Sequence, residues 1–387
     1  MKYDFDTPVD RRGTDSYKWD VKDGELPMWV ADMDFKTAPE ITAAIQKRAA
    51  HGVYGYSVVP DEWYDAVINW WKNRHSFVIE KEWLIFCTGV VPAISSAVRK
   101  LTTVAENVAV LSPVYNIFYN SIVNNGRRVL ECPLSYRDGI YGIDWDALEK
   151  ALSEPQTTML IFCNPHNPVG KIWDRDTLIR VGEMCSRNHV TVISDEIHCD
   201  LTDPGCGYIP FASASEICKS ISVTCVAPTK CFNMAGLQTA AVIVPDEALR
   251  SRVNRGLNTD EVAEPGAFAI PAAVAAFNEG EQWLDELREY IFGNKQRVKE
   301  FVETELPKVR LVPSEATYLL WLDCGAFAEY RAKELAHFIR KSTGLYLSAG
   351  NQYGLGGDSF LRLNIACPRQ VLEDGLCRLK NGIQNFK

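Results

Sequence analysis

The chain has 387 residues, 47% of them apolar and 24% charged, the ordinary mix of a globular protein too long for one simple core. A formal net charge of −9 with no Lys/Arg-rich block argues against nucleic-acid binding through phosphates. No run approaches the apolar length of a membrane span, and the six His show no His-Glu-x-x-His or paired Cys/His spacing, which argues against a dedicated metal site.

The first residues, MKYDFDTPVDRRGTDS, are polar and resemble no signal sequence. The N-terminal forty-odd residues hold few strands of their own and are expected to join a smaller domain. Further on, short apolar runs alternate with longer amphipathic stretches. Strands are expected at 83–87 (WLIFC), 107–111 (NVAVL), 158–163 (TMLIFC), 190–194 (VTVIS), 221–226 (ISVTCV) and 240–244 (AAVIV), with helices at 92–101, 117–124 and 174–188. Near-continuous apolar strands separated by helices indicate an α/β unit with a mostly parallel central sheet covered on both faces. From residue 281 the character changes. A long charged helix is expected at 281–306, then a strand at 317–324, a helix at 331–342 and a strand at 359–367. The expected organisation is a large domain at 48–280 and a smaller α+β domain built from 1–47 and 281–387.

Twelve Cys are present and none is paired as Cys-x-x-Cys. Several, such as Cys87 and Cys163, sit inside apolar runs, where a free thiol behaves as a small hydrophobe. This usage points to a reducing cytoplasm rather than a disulfide framework. The glycines of YGLGGD (353–358) lack the strand–G-x-G-x-x-G–helix context of a dinucleotide site and read as a mobile loop.

In parallel sheets ligands collect beyond the carboxyl ends of the strands. Three residues stand there together. Asn167 lies in CNPHNPVG, Asp195 opens DEIHCD directly after VTVIS, and Lys230 ends APTK directly after ISVTCV. Their chemistry is complementary. A desolvated Lys amine forms an imine with an aldehyde. An Asp beside a pyridine nitrogen keeps that nitrogen protonated, which makes the ring an electron sink. An Asn amide donates to a ring phenolate oxygen. Tyr115, in SPVY, is placed to stack on such a ring.

The order NPHNPVG, DEIH, then a Lys followed by FNMAGL resembles the aspartate-aminotransferase fold (fold type I) of enzymes that use pyridoxal 5′-phosphate (PLP). More narrowly, PMWVADMDF (27–35), VYGYS (53–57), SPVYNIFY, NPHNPVGKIW and SDEIHCD are similar to the MalY/PatB-type cystathionine β-lyases, also called cysteine-S-conjugate β-lyases. The likeness runs from about Trp29 to the C-terminus. It implies that Lys230 carries PLP and is the base for the substrate Cα proton. Asp195 pairs with the pyridinium nitrogen, Asn167 holds the phenolate oxygen, and Tyr115 stacks on the ring. Gly89 and Val90 open a helix whose N–H groups meet the phosphate, with Thr229 adding a hydroxyl. Arg362, in FLRLN, grips the substrate carboxylate by a two-point contact. Tyr56 reaches the phosphate of a neighbouring subunit, which implies a homodimer, and Tyr54 is its rival for that part. Trp29, Tyr64 and Tyr353 are candidates for the side-chain wall of the pocket.

Three positions depart from the aminotransferase pattern. Gln238 stands where many of those enzymes have a phosphate-binding Arg, and Ala227 where many have a Ser. His198 replaces a Tyr that touches the phenolate oxygen, and is expected to act as a hydrogen-bond partner rather than a base. These changes favour the lyase subgroup. The implied activity is β-elimination from cystathionine, cysteine or cysteine S-conjugates, giving a thiol, pyruvate and ammonia. Two alternatives stay open: an aminotransferase on the same fold, and a regulatory binding protein that has kept it.

Overall fold

The computed structural model describes residues 1–327 and 331–386. Its centre is a seven-stranded sheet of β1 (Leu84–Cys87), β2 (Asn107–Ser112), β3 (Arg128–Pro133), β4 (Thr157–Cys163), β5 (Thr191–Asp195), β6 (Ser222–Val226) and β7 (Ala240–Ile243). The spatial order is β1-β7-β6-β5-β4-β2-β3. Only β7 runs against its neighbours, pairing antiparallel with β1 and β6. All the expected strands of this sheet form, with ends moved by a residue or two. The edge strand β3 was not expected from the sequence. Its Arg128 and Glu131 interrupt the apolar run, as suits a strand with one free edge.

The inner strands are buried on both faces, which is why they read as continuous apolar runs. Met159, Ile161 and Cys163 of β4 pack into one core with Ile94, Val98 and Phe118, while Leu160 and Phe162 point to the other with Leu178 and Phe211. Each such large side chain contributes roughly 1.5–3 kcal/mol. The register aligns Cys163 with Asp195 and Asp195 with Cys225, so the carboxyl ends of β4, β5 and β6 finish in one row. Because β7 is reversed, its amino end, just after Gln238, joins that row.

A second, antiparallel sheet has the order Arg310–Leu311, Leu319–Asp323, Phe360–Asn364, Ser348–Ala349. The long helix Glu281–Glu305 and the helices Ala332–Thr343 and Arg369–Asn385 accompany it. The N-terminal segment binds to this part: Leu26–Pro27 pairs in parallel with Leu345–Tyr346, and the Asn364 N–H donates to the Met28 carbonyl. Further helices, among them Pro39–Ala50, Asp61–His75, Glu247–Thr259 and Ala269–Glu279, lie where none was expected from the sequence. Among the described residues no helix is long and apolar enough to cross a membrane.

Candidate active site

The row of strand ends opens into a cavity of about 280 Å³. Its walls include Gly89, Val90, Tyr115, Asn167, Asp195, His198, Thr229 and Lys230. These eight residues, all singled out from the sequence, therefore meet in one place. Arg362 lies beside them, bonded to Asn167, and Tyr56 does not reach this cavity.

Each wall residue is placed by a local cause. Gly89 caps the helix Val90–Leu101, and no side chain caps it, so the first N–H groups of that helix are left facing the cavity. Asn167 sits in a turn closed by the Gly170 N–H donating to the His166 carbonyl at 2.7 Å. Gly170 holds φ +69°, and a side chain there would strike Ser314 and Ala316. Asp195 is the last residue of β5, and its Oδ1 accepts from the Ile197 N–H at 3.1 Å.

The electrostatics of the pocket are those of buried charge. Burial pushes the Asp195 carboxyl up to about 7, although the Ile197 N–H and the Lys230 charge act against it. Burial lowers the Lys230 amine to about 8; Asp32 and Asp195 pull it back up and Arg362 pushes it further down. Lys230 Nζ donates to the Ala31 carbonyl at 2.5 Å. Burial, then the charges of Lys230 and Arg362, lower His198 to about 3, so its imidazole is neutral at ordinary pH. Tyr115 is pushed up by burial to about 12 and stays a phenol.

Arg362, in the strand Phe360–Asn364, donates through Nη1 to Asn167 Oδ1 at 3.2 Å and through Nη2 to the Trp29 carbonyl at 2.9 Å. Its guanidinium lies 4.8 Å from the centre of the Tyr353 ring. The Arg362 Nε and the His198 Nδ1 are both buried without a hydrogen-bond partner in the protein. These orphaned atoms, an amine whose proton is lost around pH 8 rather than above 10, a buried carboxylate with no ion pair among the described residues, and a helix start fit a PLP-sized group. The amine suits its aldehyde, the carboxylate its ring nitrogen, and the helix start its phosphate.

Several expectations need correction. Tyr64 lies away from the cavity, on the helix Asp61–His75, in a separate hollow with Phe86 and Arg250; helix geometry turns its ring against Trp63 and beneath Lys81. The Trp29 ring stacks on Tyr346 instead of lining the cavity, and only its carbonyl reaches Arg362. The loop at 353–358 is tied down rather than loose: Tyr353 is buried, its carbonyl accepts from the Val114 N–H, and Glu131 accepts from the Leu355 N–H. Tyr54 is engaged by its own surroundings, with its hydroxyl on the Ala49 carbonyl and Arg48 over its ring. Sequence reasoning gave no role to the Ala31 carbonyl or to Tyr318, whose hydroxyl donates to that same carbonyl at 3.1 Å. Gln238 lines the cavity at φ +50°, whereas Ala227 is packed in the core.

The model of the family "Aminotransferase class I and II" matches residues 27–379. Cystathionine beta-lyase PatB of Bacillus subtilis (strain 168) is 45% identical over 383 residues, covering 97% of this chain and 98% of that protein. Protein MalY of Escherichia coli (strain K12) is 31% identical over 390 residues, covering 99% of each. Among solved structures, cystalysin from Treponema denticola, which contains a pyridoxal 5′-phosphate cofactor, superposes with a TM-score of 0.96 at 33% identity over 100% of both chains. The PLP-bound C–S lyase from Staphylococcus hominis gives a TM-score of 0.93 at 32% identity, covering 99% of this chain and 98% of that one. Likeness along almost the full length, joined to a pocket of this chemistry, has one consequence: the chain belongs to the aminotransferase class I and II family and, within it, to the group that holds PatB and MalY.

Proposed function

We propose that this protein is a PLP-dependent carbon–sulfur β-lyase. It takes a small sulfur amino acid (cystathionine, cysteine or a cysteine S-conjugate) and releases a thiol, pyruvate and ammonia. The observation that carries the reading is the convergence of the partly buried Lys230 amine and the buried Asp195 carboxylate on one cavity, beside Arg362.

When bound, PLP supplies an electrophilic aldehyde and a ring that withdraws electrons from the substrate α-carbon. Lys230 Nζ would hold the cofactor and, as a free amine, would take the α-proton; its depressed basicity suits it to both tasks. Asp195 offers its carboxylate to the ring nitrogen, and the cation there offsets the burial that raises Asp195 alone. Asn167 has spent Oδ1 on Arg362, which leaves its Nδ2 to donate to the ring oxygen, with neutral His198 alongside. Tyr115 provides the stacking ring, and Gly89, Val90 and Thr229 receive the phosphate. Arg362 receives the substrate carboxylate and fixes the plane in which the Cα–H bond is presented.

The active unit in this reading is a cytoplasmic homodimer in which Tyr56 reaches the neighbouring protomer's phosphate site. Val53, Tyr54, Tyr56 and Val58 form an exposed apolar stretch between two helices, which supports a covered face, and twelve free cysteines support a reducing compartment. The division into a large domain, 48–280, and a small one, 1–47 with 281–387, is supported by the pairing of Leu26–Pro27 with Leu345–Tyr346.

Product analysis tests the activity. With cystathionine as substrate, thiol, pyruvate and ammonia should appear in equal amounts. A 2-oxo acid that keeps the sulfur chain, formed as an added 2-oxo acid gains the amino group, would overturn the reading in favour of transamination.

A further inference from the structure

The segment from Trp29 to Asp34 crosses the site as irregular backbone, yet its carbonyls are individually held. The Trp29 carbonyl accepts from Arg362 Nη2 at 2.9 Å and from Ser348 Oγ at 3.1 Å. The Val30 carbonyl accepts from Asn364 Nδ2 at 2.5 Å. The Ala31 carbonyl accepts from Lys230 Nζ at 2.5 Å and from the Tyr318 hydroxyl at 3.1 Å. The Asp32 carbonyl takes a second bond from Asn364, at 2.7 Å, and the Met33 carbonyl is shared by Arg11 and Asn233. One short stretch of backbone thus grips both groups that matter to the chemistry, Lys230 and Arg362.

An ion cluster pins the far end of this stretch. Asp34 is buried and accepts from Lys18 at 2.7 Å, from Arg11 at 2.8 Å and from the Trp19 indole at 2.8 Å. Arg11 also pairs with Asp32 at 2.8 Å. Lys18 is only 1% exposed, an extreme position for a lysine, and its Nζ bonds the Asp32 carbonyl as well. Buried pairs of this kind add little net stability over apolar packing, but losing one partner strands a charge. Their retention here has a geometric use, because they fix where the carbonyls of residues 29–33 stand.

We propose that residues 29–34 form a positioning strap, locked by Arg11, Lys18, Asp32 and Asp34, which holds Lys230 and Arg362 in the register that the reaction needs. None of the four locking residues lines the cavity. They are positioning residues that act through backbone carbonyls. Asp32 acts through its charge as well. The charges that act on the Lys230 amine are the carboxylates of Asp32 and Asp195 and the Arg362 cation, with neutral His198 and the Tyr318 phenol nearby; Asp32 is itself paired with Arg11 at 2.8 Å and stands 3.7 Å from Lys18. Asp32 is the negative group on the strap side and favours the cationic form of the nitrogen.

The inference rests on the reading that Lys230 holds the cofactor and Arg362 the substrate carboxylate. It is tested on the PLP-loaded protein with Lys18→Met, Lys18→Arg and Asp32→Asn. In Lys18→Met, KM for cystathionine should rise roughly tenfold while kcat falls by less, and Lys18→Arg should restore most of the loss. In Asp32→Asn, the pH midpoint of the bound cofactor's visible absorbance should move downward beyond the error of the unsubstituted titration. A folded, loaded Lys18→Met protein with unchanged KM, or an unmoved midpoint in Asp32→Asn, overturns the proposal. Should Lys18→Met not fold, the partly exposed Asp32 still carries the absorbance test alone. Failure of the unsubstituted enzyme to cleave cystathionine would count against the activity and leave the absorbance test of the strap intact.

Discussion

Arg362 Nη1 donates to Asn167 Oδ1 at 3.2 Å, joining the middle of the second sheet to the turn that follows β4 of the first. The bond explains why two residues 195 positions apart read as one site. In the proposed reading, the guanidinium that would receive the substrate carboxylate also orients the amide that would face the cofactor ring. Neither side chain is set independently of the other.

Arg362→Ala removes both services. It deletes a charge-assisted contact worth roughly 1.5–3 kcal/mol, so kcat/KM for cystathionine should fall on the order of ten- to a hundredfold. Because Asn167 also loses its partner, part of the loss should appear in kcat, and steady-state kinetics separates the two. An Arg362→Ala enzyme with unchanged kcat/KM would show that the carboxylate binds elsewhere.

The Lys230 amine sets a pH dependence for loading. Burial lowers it from 10.5 to about 8, and only the neutral amine attacks an aldehyde. The rate at which apoprotein takes up PLP should therefore climb roughly tenfold per pH unit below that value and level off above it. The sign for stability is the same. A depressed native value means that Lys230 favours the native state most above 10.5, and that this contribution is lost as pH falls through about 8. Stopped-flow absorbance against pH checks the loading rate, and a profile flat across about pH 6 to 9 would contradict it.

Gly170 should not tolerate a side chain. At φ +69° an added Cβ would lie 2.5 Å from Ser314 Cβ and 2.8 Å from the Ala316 carbonyl oxygen. The backbone conformation alone costs about 1–3 kcal/mol for a non-glycine residue, and the contacts add to it. Gly170→Ala should lower Tm and weaken PLP affinity together, because the Asn167 turn closes on this residue. Thermal unfolding and a PLP titration measure both; an unchanged Tm would refute the prediction.

Much of the candidate site was legible in the sequence because its residues gather at strand ends. Strands β4, β5 and β6 announce themselves as apolar runs, and a polar residue at or soon after the end of each is conspicuous: Asn167, Asp195 and Lys230. What stayed hidden follows from physics as well. The acceptor of Lys230 is the Ala31 carbonyl, a backbone atom that any residue at that position would supply. Tyr64 is one aromatic among several on an amphipathic helix, and its direction depends on packing against Trp63. The edge strand β3 breaks the apolar pattern with Arg128 and Glu131, since one of its sides needs no partner. Tyr56 is fully exposed in the chain, and the part proposed for it would need a second copy.

The most direct test of the central claim is borohydride reduction of the PLP-loaded protein followed by peptide mass analysis. The account predicts that reduction fixes the cofactor to the peptide carrying Lys230 and that Lys230→Ala abolishes both this adduct and cystathionine cleavage. Attachment at a different lysine, or cleavage that survives Lys230→Ala at a normal rate, would contradict it.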